Sequence, residues 1–216
     1  ENLAGIIDGA PDMTLHFLGP AEVRKEVLNQ FDAVVFPGGS GSKQAAAIGR
    51  AGKDAVREFV EDGGGYLGIC AGAFLASAHY SWSLDIIDAT VLTGSRKVEG
   101  KEIQMWFRGK AKDVEMELSP QGRALFKGVP PNTVVRYHNG PIVSPKRSAG
   151  LEPYTVLAWF RSEKVLHAPQ RGTMIDTPAI ISGRFGRGRV IAVSPHPEST
   201  PALHPIIAQS LRWVTV

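Results

Sequence analysis

The residues best placed to do chemistry in this chain are one cysteine and one histidine–glutamate pair. Cys70 is the single cysteine among 216 residues, and it stands in Gly68-Ile69-Cys70-Ala71-Gly72, a G-x-C-x-G. An apolar stretch precedes it, and small and apolar residues follow. That order reads as strand, sharp turn and helix, with Cys70 at the turn. Glycine on either side lets the backbone bend tightly and lets neighbouring segments approach. A helix starting after Cys70 aims free N–H groups and its positive dipole end at the sulfur, which favours the reactive thiolate. A lone free cysteine is ordinarily a small buried hydrophobe. The glycine-bracketed turn is what points Cys70 toward a nucleophile instead.

A second group lies near the end of the chain. Val190 to Val193 is a continuous apolar run, the pattern of a buried strand, and His196 and Glu198 follow just past it. In His-x-Glu the carboxylate can hold one imidazole nitrogen while the other faces a sulfur. That is the nucleophile, base and orienter logic of a triad. Pro195 and Pro197 stiffen the loop. A third element is Val34-Val35-Phe36-Pro37-Gly38-Gly39-Ser40-Gly41-Ser42, an apolar strand running into a glycine-rich loop. Such a loop brings backbone N–H groups close to a ligand because no Cβ intervenes. Neither G-x-x-x-x-G-K-[ST] nor G-x-G-x-x-G is present, so a phosphate cradle fits less well than an oxyanion hole. Gly39 and Ala71 are the expected oxyanion donors, and Gly38 and Ser40 the expected substrate contacts.

Together these residues resemble the class I glutamine amidotransferase-like superfamily. The chain order matches: a P-G-G-S loop, the G-x-C-x-G elbow, then H-P-E. The nearest resemblance is to the biotin–protein ligase N-terminal-like family, through Gly63-Gly64-Gly65-Tyr66-Leu67-Gly68-Ile69-Cys70-Ala71-Gly72-Ala73 and Tyr137-His138-Asn139-Gly140-Pro141. It covers roughly residues 30 to 200. The resemblance implies a single α/β domain over residues 1–216, with Cys70, His196 and Glu198 as the triad. It implies no biotin ligation, which belongs to a separate domain. By its place in chain order, Tyr137, His138, Asn139 and Gly140 resemble the segment lining the substrate pocket of glutamine amidotransferases; the bare residues read equally well as an Asn-Gly turn. Two departures stand out. Glutamine-using relatives carry a histidine or glycine and then a glutamine just after the elbow, where this chain has Ala73 and Phe74. The family also expects a strand ahead of the first helix, and Glu1 starts too late to supply it, as in a fragment, a processed form or a trimmed chain.

The elements that must position these residues are legible in outline. Asp32 to Phe36 and Tyr66 to Ile69 read as buried strands, with an amphipathic helix from Lys53 to Glu61 between them, stopped by Gly63-Gly64-Gly65. Thr14 to Leu18 is a short strand candidate, and Ala21 to Gln30 a helix with Val23, Val27 and Leu28 on one face. Ile103, Met105 and Phe107 alternate with polar residues, as do Val114, Met116 and Leu118, with Gly109 between; this predicts an antiparallel ribbon. Ser119-Pro120-Gln121-Gly122 opens a short helix. Thr133 to Tyr137 and Tyr154 to Phe160 are further strands. Pro178 to Phe185 and Arg189 to Val193 form a hairpin, and Leu203 to Trp213 closes the chain as a helix. Alternating strands and helices predict a mostly parallel sheet covered on both faces, a flavodoxin-like three-layer sandwich with an added antiparallel ribbon. Ligands of such sheets sit beyond the carboxyl ends of the strands, where all three motifs fall.

Composition narrows the classes. Hydrophobic residues make up 43% and charged residues 21%, as in an ordinary globular chain. One cysteine excludes a disulfide framework and a cysteine-based zinc site. His196, Glu198 and His204 are close in sequence and histidine is the commonest metal ligand, yet His204 falls in the first turn of the last helix and no H-E-x-x-H occurs, so neither metal nor cofactor is expected. Net charge is +3. Arg184, Arg187 and Arg189 read as a solvated hairpin tip, and no nucleic-acid signature accompanies them. No apolar run approaches the ~20 residues of a membrane span. No signal peptide is visible, which tips the expectation toward the cytoplasm, although a removed leader would leave no trace. The expected activity is a cysteine-dependent amidase or hydrolase acting on a small-molecule or peptide amide. Two other readings stand beside it: a non-catalytic binding module on the same fold, and a protease- or deglycase-like relative, against which the His196–Glu198 pair argues. Substrate identity, any partner subunit and oligomeric state are not encoded in a readable way.

Overall fold

Apolar runs of four to eight residues and amphipathic stretches between them build a seven-stranded sheet with helices on both faces. The computed structural model describes residues 2–93, 95–98, 100–104, 110–163 and 172–216. The strands in chain order are β1 (Ala33–Phe36), β2 (Gly65–Ile69), β3 (Ala89–Val91), β4 (Ser95–Val98), β5 (Lys101–Gln104), β6 (Lys112–Leu118), β7 (Asn132–Tyr137), β8 (Val143–Pro145), β9 (Thr155–Phe160), β10 (Pro178–Phe185) and β11 (Gly188–Val193). The helices are α1 (Asn2–Asp8), α2 (Lys25–Leu28), α3 (Gly41–Glu61), α4 (Ala71–Ala76), α5 (Pro120–Leu125) and α6 (His204–Val214). The large sheet has the order β1-β2-β11-β10-β9-β6-β7. Parallel pairing joins β1 to β2 and β2 to β11. From β11 outward through β10, β9, β6 and β7 every pairing is antiparallel. The parallel strands are the ones that carry the candidate site.

Side-chain alternation in the central strands sorts the core into two layers. Tyr66, Val190 and Ala192 face Val56, Phe59 and Val60 of α3. Leu67, Ile69, Ile191 and Val193 face Ile206, Ile207 and Leu211 of α6. Each fully buried side chain of this kind contributes about 1.5–3 kcal/mol. The hairpin of β10 and β11 turns through Gly186 at φ 57, a conformation glycine adopts without cost. At the hairpin end Arg187 pairs with Asp62 at 3.6 Å, and Arg189 donates to the Trp213 carbonyl while lying over its ring. Ser119 caps α5, its Oγ accepting from the Gly122 N–H at 3.0 Å.

Several expectations are corrected. Thr14 to Leu18 is not a strand. Its Leu15 and Leu18 pack on opposite core layers, and Phe17 is 82% exposed. Ala21 to Gln30 is not one helix: a 3-10 turn over Pro20–Glu22 is separated from α2 by Arg24 in an extended conformation. The Glu22 carboxylate accepts from the Gly19 N–H at 2.6 Å and fixes the short turn, and the break lets both Val23 and Leu28 bury. The helix expected from Lys53 begins at Gly41 and bends at Gly49, where φ is 64. In the expected ribbon, β5 pairs with β4, and Met105, Phe107 and Gly109 lie outside the described residues. Val114, Met116 and Leu118 belong instead to β6 in the main sheet, where they are 2%, 1% and 0% exposed. Their apolar face is large enough to serve the core. Among the described residues no helix is long and apolar enough to cross a membrane.

Candidate active site

Cys70 sits between β2 and α4 with φ 51 and ψ −95. A non-glycine residue there is strained, and the surroundings must hold it. They do so from both sides. The Cys70 N–H donates to the Val193 carbonyl at 2.8 Å, continuing the β2–β11 ladder past its last pair. Its carbonyl accepts from the Ala73 and Phe74 N–H groups, each at 3.1 Å, opening α4. The bracketing glycines allow close approach: a Cβ at Gly72 would overlap the Phe36 carbonyl oxygen, and one at Gly68 would overlap the Gly72 carbonyl oxygen. Tyr66 donates its buried hydroxyl to that same Gly72 carbonyl at 2.8 Å. Cys70 is buried, 6% exposed. Its thiol lies under the Tyr137–Gly140 segment and donates to the His138 carbonyl at 3.4 Å.

His196 and Glu198 follow β11 as expected. Pro197–Ser199 forms a 3-10 turn that folds the glutamate back toward the ring. Nδ1 of His196 lies 2.7 Å from Oε1 of Glu198, with the two side chains 13% and 14% exposed. The His196 N–H donates to the Arg136 carbonyl at 2.7 Å, anchoring the loop to the end of β7. Burial is the largest influence on the ring and pulls its pKa down. The nearby Cys70 sulfur and Glu198 carboxylate outweigh that and lift it to about 10, although Nε2 itself makes no hydrogen bond among the described residues. The ring therefore carries its proton at neutral pH. His204 does not join the pair as a ligand would; its Nε2 lies 3.1 Å from the Glu198 carbonyl oxygen, and among the described residues no group of three potential metal ligands exists.

The glycine loop completes one wall. A Cβ at Gly38 would stand 3.0 Å from Cε1 of His196 and 3.9 Å from Cβ of Cys70, so only a bare backbone fits between the two. Gly39 has φ 138, and Ser40 leads into α3. Among the described residues the backbone N–H groups of Gly39 and Ala71 make no hydrogen bond. The opposite wall is Tyr137 to Gly140. Tyr137 donates its hydroxyl to the Gly140 carbonyl at 2.8 Å, and Asn139 takes φ 58. Gly140 presses against the Ser194 carbonyl, where a Cβ would overlap it. The His138 carbonyl thus meets the Cys70 sulfur directly, and Gly38 lies between Cys70 and His196. Sequence reasoning missed the His138 carbonyl and Trp82. Trp82 lies outside every motif, yet its ring packs where Gly41 and the Ala71 carbonyl meet.

Comparison with known proteins agrees with this architecture. Among curated proteins no match is found. A solved cytoplasmic protein from Salmonella typhimurium is 12% identical, covering 99% of this chain and 85% of its own, with a TM-score of 0.63. A ThuA-like protein from Parabacteroides merdae is 12% identical, covering 100% and 83%, with a TM-score of 0.61. A glutamine amidotransferase is 24% identical, covering 88% and 84%, with a TM-score of 0.54. Identities this low speak for the fold alone. The family described as biotin-protein ligase, N terminal, matches residues 25–212. With that match spanning most of its length, this chain belongs to the biotin–protein ligase N-terminal family and has a class I glutamine amidotransferase-like α/β fold.

Proposed function

We propose that this chain is a cysteine-dependent amidase or hydrolase. The observation that carries the reading is the meeting of two distant loops: His196, held by Glu198, across Gly38 from a cysteine in a strained elbow. In the reaction the Cys70 sulfur, as thiolate, attacks the carbonyl carbon of an amide. The oxygen takes the negative charge and is received by the N–H groups of Gly39 and Ala71. His196 gives its proton to the leaving nitrogen, the C–N bond breaks, and a thioester remains on Cys70. Water then attacks that thioester with His196 as base, releasing the acid and restoring the thiol. Glu198 keeps Nδ1 engaged so that Nε2 faces the sulfur. Gly38, Ser40 and the Tyr137–Gly140 segment border the substrate.

A second reading is a non-catalytic binding module. Cys70 is only 6% exposed and its thiol is engaged by the His138 carbonyl. Iodoacetamide separates the two. The enzyme reading requires Cys70 to be alkylated faster than free cysteine at neutral pH, followed by intact mass, and to form an acyl-enzyme with at least one member of an amide and peptide panel. Alkylation slower than free cysteine, with no acyl-enzyme, would leave the binding module.

A further inference from the structure

Beside the elbow stands a row of rings that the proposed reaction does not use. Phe74 lies in the first turn of α4, the helix that opens directly after Cys70. It is half-buried, and among the described residues it packs with neither core layer. Its ring faces Tyr80 at 6.3 Å between centroids. Tyr80 stacks on Trp82 at 4.5 Å with the planes 9° apart, and His79 meets Tyr80 edge-on at 4.4 Å. Trp82 in turn closes on Gly41, the residue after the Pro37–Ser40 loop: a Cβ there would lie 3.0 Å from the indole and 3.0 Å from the Ala71 carbonyl oxygen. The row therefore runs from the helix that follows Cys70 to the glycine loop. All four rings are half-buried, so each keeps part of its surface in water. His79 stays neutral, because burial and then the Lys146 charge lower its pKa below 6.5. At its far end, His79 and Tyr80 border an open cleft of about 490 Å³.

We propose that this row is the acyl pocket of the site, and that the substrate carries an aromatic or similarly flat apolar group on the carbonyl side of the scissile amide. The inference rests on the reading of Cys70 as a nucleophile. A polar acyl group, such as the carboxamide arm of an amino acid, needs matched donors and acceptors, and a face of phenyl, phenol and indole rings supplies few. A flat apolar group instead covers ring surface that otherwise stays wet, and stacks offset or edge-on as the rings already do among themselves. Phe74 stands on the helix that follows the nucleophile, and Trp82 packs at the end of the glycine loop.

Two haloketones of different acyl side, chloroacetone and phenacyl chloride, test this when each alkylation rate of Cys70 is divided by its rate with free cysteine. The expected result is saturable labelling by phenacyl chloride and a preference of at least about tenfold over chloroacetone. That ratio should fall to near one in Phe74→Gln and in Trp82→Ala, with folding checked by thermal melting. Equal acceleration of both reagents overturns the ring pocket and leaves the nucleophile standing. Acceleration of neither overturns the nucleophile, and a binding arm then decides the rings. Phenylacetamide is titrated against acetamide on the Cys70→Ser protein by tryptophan fluorescence. Saturable binding of phenylacetamide alone, abolished by Phe74→Gln, supports the pocket; no binding overturns it.

Discussion

Glu198 holds Nδ1 of His196 at 2.7 Å, which fixes the ring and leaves Nε2 as the nitrogen free for the proposed exchange with the sulfur. Replacing Glu198 with Gln keeps the size but removes the charge and changes the preferred tautomer. Turnover of any amide that forms an acyl-enzyme is expected to fall by about 10²–10⁴-fold. Cys70→Ala, by contrast, removes the covalent step entirely, so single-turnover assays should rank the two variants in that order. Charge on the ring also sets a pH window. A pKa raised to about 10 means that the imidazolium persists from neutrality nearly to that pH, whereas an ordinary histidine loses its proton near 6.5. The alkylation advantage of the wild type over His196→Gln should hold through neutral pH and close as pH rises through about 10. A pH profile that closes near 6.5 instead would show that the ring is not held by its two partners. At this scale the sequence was informative: Cys70, His196 and Glu198 sit in short motifs whose spacing carries their geometry. What spacing cannot carry is depth or tertiary neighbours. The 6% exposure of Cys70, the His138 carbonyl on its thiol and Trp82 against Gly41 all depend on segments that arrive from elsewhere in the chain.

The elbow shows how elements, more than single side chains, fix the site. Gly72 lets α4 cross directly over the end of β1, against the Phe36 carbonyl. Gly72→Ala is expected to destabilise the fold by about 3 kcal/mol or more, because the overlap is with backbone that cannot swing aside. Gly5 provides the contrast: it lies in α1 with nothing within 4 Å of a built Cβ. Gly5→Ala should therefore be neutral or stabilise by up to about 1 kcal/mol, as helix propensity dictates. Urea titrations of the two variants check both values. Elements with strong periodicity were readable: β2, the β10–β11 hairpin and α6 fall within a residue or two of their expected bounds. Thr14 to Leu18 and Ala21 to Gln30 were not, because their apolar residues are divided between two core layers instead of forming one face. The partner of β5 was hidden for another reason, since pairing of two alternating runs depends on which strand is nearest in space.

At the scale of the whole molecule, a fold shared with a glutamine amidotransferase does not make a glutaminase, and Ala73 and Phe74 oppose one. Ala73 is 3% exposed and Phe74 faces Tyr80, so neither offers a polar group to a carboxamide. Each unmatched polar group costs roughly 1–3 kcal/mol. Ammonia release from free glutamine is therefore expected to be weak or absent, and brisk Cys70-dependent release in a coupled assay would refute that view of the pocket. The sequence disclosed the α/β class from its alternating strands and helices. It did not disclose where parallel pairing ends, which is settled by the antiparallel return of β10 beside β11. That neighbourhood has one more consequence. β2 is flanked by β1, which is made before it, and by β11, which is made more than a hundred residues later and ends at the loop bearing His196. As the chain leaves the ribosome, Cys70 emerges long before His196. Until the last strand slots in beside β2, the cysteine is a plain thiol on an unfinished sheet. Such distant pairings form late in folding. In the proposed reaction, reactivity would therefore be withheld from nascent and misfolded chains, with the finished fold as the activating event.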